Sequence, residues 1–154
     1  MRQCADQIDE RERARRLADE SIIWAGAKTG DRVTIIGSAQ IDLLVEFVHR
    51  GFANVACRAA TGCPHAADLE ADLVIAPALH DDRELMTTIS QIRRCLRSGG
   101  TLLVQTAKSM SVALARSKDI LQPQGFAFVG MHRAKPGMHT ACFRKLPVRQ
   151  IQAA

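Results

Sequence analysis

A histidine and two aspartates follow the apolar segment "IAPAL" directly, at His80, Asp81 and Asp82. Enzymes with parallel sheets place their sites at the carboxyl ends of the strands, so His80 could act as a general base on a substrate hydroxyl or amine. The alternative is structural: Asp81 or Asp82 caps a helix that begins near Glu84, and His80 is a loop residue. The residue types favour the capping role.

A second candidate follows the apolar run 33–36, where a turn leads into a helical pattern. The turn reads Gly37, Ser38, Ala39 and Gln40. Glycine lets a ligand approach the backbone closely, and Ser38 and Gln40 could bind a polar ligand at a helix N-terminus, where anions are favoured. Arg58, at the end of the next apolar segment, would complete a small anion pocket.

Cysteines and histidines offer metal ligands in two places, but neither place predicts a metal site. Cys57, Cys63 and His65 lack an evident fourth ligand, and the sequence has no C-x-x-C pair. His132 and His139 flank a Pro-Gly turn, where they could pair or bind a metal, yet exposed hairpin positions are the preferred interpretation. We therefore expect reduced thiols and no metal.

Charge is distributed unevenly along the 154 residues, whose net charge is +5. Residues 31–90 carry a net charge of −5, whereas residues 91–154 carry eleven basic residues against the single acid Asp119. This bias predicts an acidic protein or a nucleic-acid backbone as partner, and a solvated basic surface is an equal alternative. With no tyrosine and one tryptophan, a base-stacking single-strand binder is disfavoured.

The elements that would position these residues alternate between helix and strand. The patterns predict helices at 5–27, 42–50, 81–98 and 109–122, and strands at 32–36, 53–60, 72–77, 101–106, 126–133 and 139–146. Ile23, Val48 and Met86 are assigned to inward helix faces, and Gly99-Gly100 is expected to end the third helix. The alternation predicts a doubly wound, mostly parallel α/β sheet with a C-terminal antiparallel hairpin.

The sequence divides into a charged N-terminal helix (1–30), a Rossmann-like domain (31–147) and a tail (148–154). We expect the N-terminal helix or a sheet edge to form a homodimer. The first residues lack an apolar signal core, and no apolar run approaches the roughly 18 residues of a membrane span. A cytoplasmic protein without membrane contact is therefore expected.

Four segments, in this order, resemble the class I S-adenosylmethionine-dependent methyltransferases. They are "GDRVTIIG", "ADLVIAPALHDD", "QIRRCLRSGGTLLVQT" and "GFAFVGMHRAKPGMHTACFRK", and the resemblance covers residues 15–146. It implies a Rossmann-like fold and S-adenosylmethionine as cofactor. The cofactor-binding positions it implies are Gly37, Ser38, Ala39, Gln40, Arg58, Ala76, Pro77 and His80.

Three departures from the family pattern fall on that cofactor site. The glycine positions of its G-x-G-x-G loop hold Gly37, Ala39 and Ile41, and the end of its second strand holds Cys57 or Arg58 instead of a carboxylate. The link between the second strand and "DLVIAP" is so short that one strand–helix unit is expected to be missing. These departures predict weakened or lost cofactor binding and a regulatory or scaffold role. The alternatives are an active methyltransferase with an atypical loop, or an unrelated small-anion binder.

Overall fold

The computed structural model describes residues 2–37, 40–59, 70–79, 81–106, 110–135 and 138–147. The elements in chain order are α1 Arg2–Ala25, β1 Arg32–Ile36, α2 Gln40–His49, β2 Asn54–Arg58, β3 Ala71–Leu79, α3 Asp82–Cys95, β4 Leu96–Thr106, α4 Met110–Leu121, β5 Phe126–Lys135 and β6 Met138–Lys145. A short 3-10 turn at Gln122–Gln124 joins α4 to β5, because Pro123 cannot continue the helix.

The strands form one sheet in the order β2-β1-β3-β4-β6-β5. The pairs among β1, β2, β3 and β4 are parallel, whereas β6 runs antiparallel to both β4 and β5. This confirms the predicted doubly wound sheet with a terminal antiparallel hairpin. Among the described residues, β2 is the outermost strand on this side of the sheet. The strand–helix unit that was expected to be missing would follow β2 along the chain.

Helices cover both faces of the sheet, and consecutive residues of β1 show the division. Ile35 packs in a core with Leu17 of α1 and Phe47 of α2. Ile36 belongs to the other core, which includes Ile92 of α3. Because side chains alternate across a strand, one short apolar run supplies both cores.

The start of β4 corrects the predicted end of the third helix. α3 ends at Cys95, and Leu96 already has extended backbone angles and pairs with Ala71 of β3. The next paired position is Thr101, so the residues between form an irregular bulge. A Cβ at Gly100 would lie 2.9 Å from the Arg97 carbonyl oxygen, so this glycine permits the bulge and does not end a helix.

Three apolar side chains assigned to inward faces are exposed instead. Ile23, Val48 and Met86 are 77%, 52% and 53% exposed, so those assignments were wrong. The buried face of α1 is built mainly from small side chains, at Ala14, Leu17, Ala18 and Ser21. Small residues let a helix approach its neighbours closely. Ile22 lies partly buried against the same core, whereas Ile23 projects into solvent.

Candidate functional site

Four of the predicted cofactor residues lie at the carboxyl ends of three neighbouring strands. Gly37 directly follows β1, and its N–H donates to the carbonyl of Arg58, the last residue of β2, at 3.1 Å. Ala76 and Pro77 are buried in β3, just beyond the pair formed by Ile35 and Ile75. The parallel register therefore brings these positions to one edge of the sheet, as the sequence predicts.

Of the remaining predicted positions, Ser38, Ala39 and His80 lie outside the described residues, and Gln40 begins α2. The carboxylate of Asp81 accepts the N–H of Glu84 at 2.8 Å, so Asp81 is the N-cap of α3, the structural role favoured from the sequence. A cap of this kind satisfies one of the amide groups that the first helical turn leaves unpaired.

Gly37 and Arg58 differ in how well they suit adenosylmethionine. Gly37 has a φ of +122°, which side-chain-bearing residues rarely adopt, and open space lies where its Cβ would be. The carboxylate that the resembling family has at this strand end accepts hydrogen bonds from ribose hydroxyls, whereas the guanidinium of Arg58 can only donate. The strand ends therefore offer a backbone that a ligand can approach closely and a cationic side chain.

A concavity lies at the opposite, amino-terminal end of the parallel strands. Its volume is about 440 Å³, and it is lined by Ser90, Arg93, Arg94, Gln124, Gly125, Lys145 and Leu146. No carboxylate is among these lining residues. Sequence reasoning assigned a basic surface to this half of the chain but did not locate the concavity, because its lining comes from α3, the 3-10 turn and the end of β6.

A half-buried polar cluster joins α1 to the terminal hairpin. The rings of Trp24 and His132 lie 5.1 Å apart, and His132 Nε2 lies 3.6 Å from Glu20 Oε1. Burial raises the pKa of the Glu20 carboxyl, although nearby His132 opposes the shift. No local sequence pattern signals this cluster, because His132 lies more than one hundred residues from Glu20 and Trp24.

The two hairpin histidines differ in exposure. His139 is only 4% exposed, so its assignment as an exposed residue was wrong. It lies on β6, which is covered by a strand on each side, whereas His132 lies on the edge strand β5. Within the described ranges, no group of three His, Cys, Asp or Glu side chains could hold a metal ion, and no helix is long and apolar enough to cross a membrane.

Comparison with known proteins gives similarity in structure only. No protein-family model matches the chain, and no curated protein matches its sequence. A solved structure of the glycopeptide N-methyltransferase MtfA with sinefungin is 13% identical and has a TM-score of 0.68, over 87% of this chain and 94% of that one. The ribosomal protein L11 methylase from Lactobacillus delbrueckii subsp. bulgaricus is 19% identical with a TM-score of 0.63, over 84% and 77% of the two chains.

A third similar structure is TrmN from Thermus thermophilus, at 17% identity and a TM-score of 0.64. The match covers 84% of this chain but only 48% of TrmN, so this chain corresponds to about half of that protein. Together with the strand order, these similarities define a Rossmann-like α/β protein with a terminal antiparallel hairpin. The chain has a class I methyltransferase-like fold.

Proposed function

We propose that this chain is a methyltransferase-like protein in which S-adenosylmethionine binding is weakened or lost, and that it acts by binding a partner, as a regulator or scaffold. The observation that carries the proposal is Arg58 at the end of β2, beside Gly37. In the resembling family this position accepts hydrogen bonds from ribose, and an arginine cannot accept them.

Ile41 supports the same proposal. It lies in the first turn of α2, at the third glycine position of the family loop, and it is 77% exposed. An apolar side chain that projects from this turn would occupy space that glycine leaves open for a ligand. Arg58 and Ile41 thus oppose the same cofactor by different means, one electrostatic and one steric.

Isothermal titration calorimetry with S-adenosylmethionine and S-adenosylhomocysteine tests the proposal. We expect no saturable binding below millimolar ligand. Binding in the micromolar range would contradict the proposed loss of S-adenosylmethionine binding. Arg58→Glu supplies the missing acceptor. A hydrogen bond to a charged group contributes about 1.5–3 kcal/mol, so S-adenosylhomocysteine affinity should rise about tenfold to a hundredfold. Arg11→Glu makes the same charge change on exposed α1 and should leave affinity unchanged.

A second candidate is an active methyltransferase with an atypical cofactor loop. It is favoured by the solved MtfA complexes with sinefungin, S-adenosylhomocysteine and S-adenosylmethionine, whose fold this chain resembles. The conformation of Gly37 supports it too, because the chain leaves β1 through a residue that permits close ligand approach. The same titration decides, since failure to bind up to millimolar ligand excludes this candidate.

A further inference from the structure

We propose, building on the partner-binding role above, that the concavity at the amino-terminal end of the strands is a docking site for the phosphodiester backbone of double-stranded nucleic acid. We call it the basic concavity and define it by Ser90, Arg93, Arg94, Gln124 and Lys145. Three cationic side chains and two neutral polar ones line it. This composition suits phosphate oxygens, which accept hydrogen bonds and carry negative charge.

Two of the cations are held in place by the fold. Arg93 Nη1 donates to Gln124 Oε1 at 3.0 Å, which orients the exposed guanidinium and leaves its other donors for a ligand. Lys145 Nζ donates to the carbonyls of Arg93 and Leu96 at 2.7 and 2.5 Å. Side chains that are already held lose less conformational freedom on binding, so a ligand meets a partly organised site.

The bonds made by Lys145 also remove an obstacle to anion binding. The carboxyl end of a helix carries partial negative charge and would repel a phosphate. Here the ammonium of Lys145 satisfies two carbonyls at the end of α3 and brings a full positive charge to that end. The charge of Glu70 opposes the lowering of the Lys145 pKa by burial.

The concavity offers more than one exposed cation. Arg93 and Arg94 are both exposed at the carboxyl end of α3, so they can contact different phosphates. The concavity is open, and no aromatic side chain is among its lining residues. Bases therefore have no stacking platform, which favours backbone contacts to a duplex over recognition of a single strand.

Fluorescence anisotropy with the full chain and labelled 20-base-pair RNA and DNA duplexes tests the site over a salt series. Each phosphate contact contributes about 0.9 to the slope of log affinity against log salt on duplex DNA. Arg93→Ala/Arg94→Ala should therefore lower the slope by about 1.8 and weaken binding about a hundredfold at 50 mM salt. The control Arg11→Ala/Arg83→Ala removes the same charge from exposed positions elsewhere and should change the slope little.

Two outcomes in the duplex titrations would overturn the site: no duplex binding by the unaltered chain at low salt, or equal losses of affinity in both double variants, which would indicate an effect of net charge alone. A poly-glutamate peptide that binds as tightly as the duplex would overturn it too, by indicating an acidic protein partner. Saturation by ATP without duplex binding would instead indicate a small phosphate ligand. Titration of S-adenosylhomocysteine into the same variants separately measures ligand binding at the carboxyl ends of the strands. Failure of duplex docking therefore leaves the cofactor result intact.

Discussion

Trp24 should fix α1 to the terminal hairpin, and replacing it with alanine should destabilise the fold measurably. The side chain is 44% exposed, so rather more than half of its surface is buried. For a tryptophan this amounts to about 120 Å², which at about 25 cal/mol per Å² gives about 3 kcal/mol. For a chain of this size the melting temperature should fall by about 6–12 °C.

Chemical denaturation followed by circular dichroism measures this loss as a change in the free energy of unfolding. Ile23 is the matched control, because it is the preceding residue of the same helix and is 77% exposed. Ile23→Ala should cost about 1 kcal/mol or less. Equal losses in the two variants, or a loss below about 1 kcal/mol for Trp24→Ala, would refute the docking of α1 through this side chain.

A double-mutant cycle isolates the contact that Trp24 makes with His132. Their ring centroids lie 5.1 Å apart with a tilt of 39°, within the range of favourable aromatic pairs. The coupling free energy between Trp24→Ala and His132→Ala should be about 0.5–1.5 kcal/mol. If the two losses in the free energy of unfolding simply add, the contact with His132 contributes nothing beyond the burial of apolar area.

Three further predictions concern single positions. The pKa of Glu20 is higher in the folded than in the unfolded chain, so the fold should lose stability as pH rises through the folded pKa. Glu20→Gln should reduce that loss in denaturation curves measured from pH 4 to 7. An unchanged pH dependence of stability in this variant would contradict the prediction. Asp81→Ala removes the N-cap of α3 and should cost about 1 kcal/mol, whereas Asp81→Asn should retain most of the stability; similar costs would exclude capping. Gly100→Ala should cost about 1–3 kcal/mol by overpacking, while Gly30→Ala, with open space at its Cβ, should not; equal melting temperatures would refute the close packing.

The sequence predicted the order of the elements because apolar periodicity is a local property. It failed at the end of α3, where Leu85, Ile89, Ile92 and Leu96 continue a helical spacing without a break. The extended conformation of Leu96 is accompanied by pairing with Ala71 of β3. A partner 25 residues away decides the boundary, and no local pattern records it.

His139 shows an error of a different kind. It precedes Ala141 and Phe143 at intervals of two, so the strand pattern alone places all three on one face of the sheet. Those two residues are 1% and 0% exposed. The polarity of histidine outweighed the periodicity in the prediction, although a strand in the interior of a sheet buries whatever residue occupies such a position.

The candidate sites were predictable only where they follow single strands. Gly37 and Arg58 each end an apolar run, so parallel pairing brings them together without further information. The basic concavity needs Arg93, Gln124 and Lys145 to meet, and these residues come from three separate elements. Charge counting therefore indicated the basic half of the chain but could not show which cations converge.

The two ends of the sheet differ in how well they are prepared for a ligand. At the carboxyl end, Arg58 offers hydrogen-bond donors where the resembling family has a carboxylate acceptor. At the amino end, Arg93 and Lys145 already make hydrogen bonds within the fold, and the phosphate backbone proposed as their ligand would accept hydrogen bonds from them. The two titrations therefore separate the functions: duplex binding without S-adenosylhomocysteine binding would define a nucleic-acid-binding protein on a methyltransferase-like fold. Binding of both would instead favour an active methyltransferase whose basic concavity positions a nucleic-acid substrate.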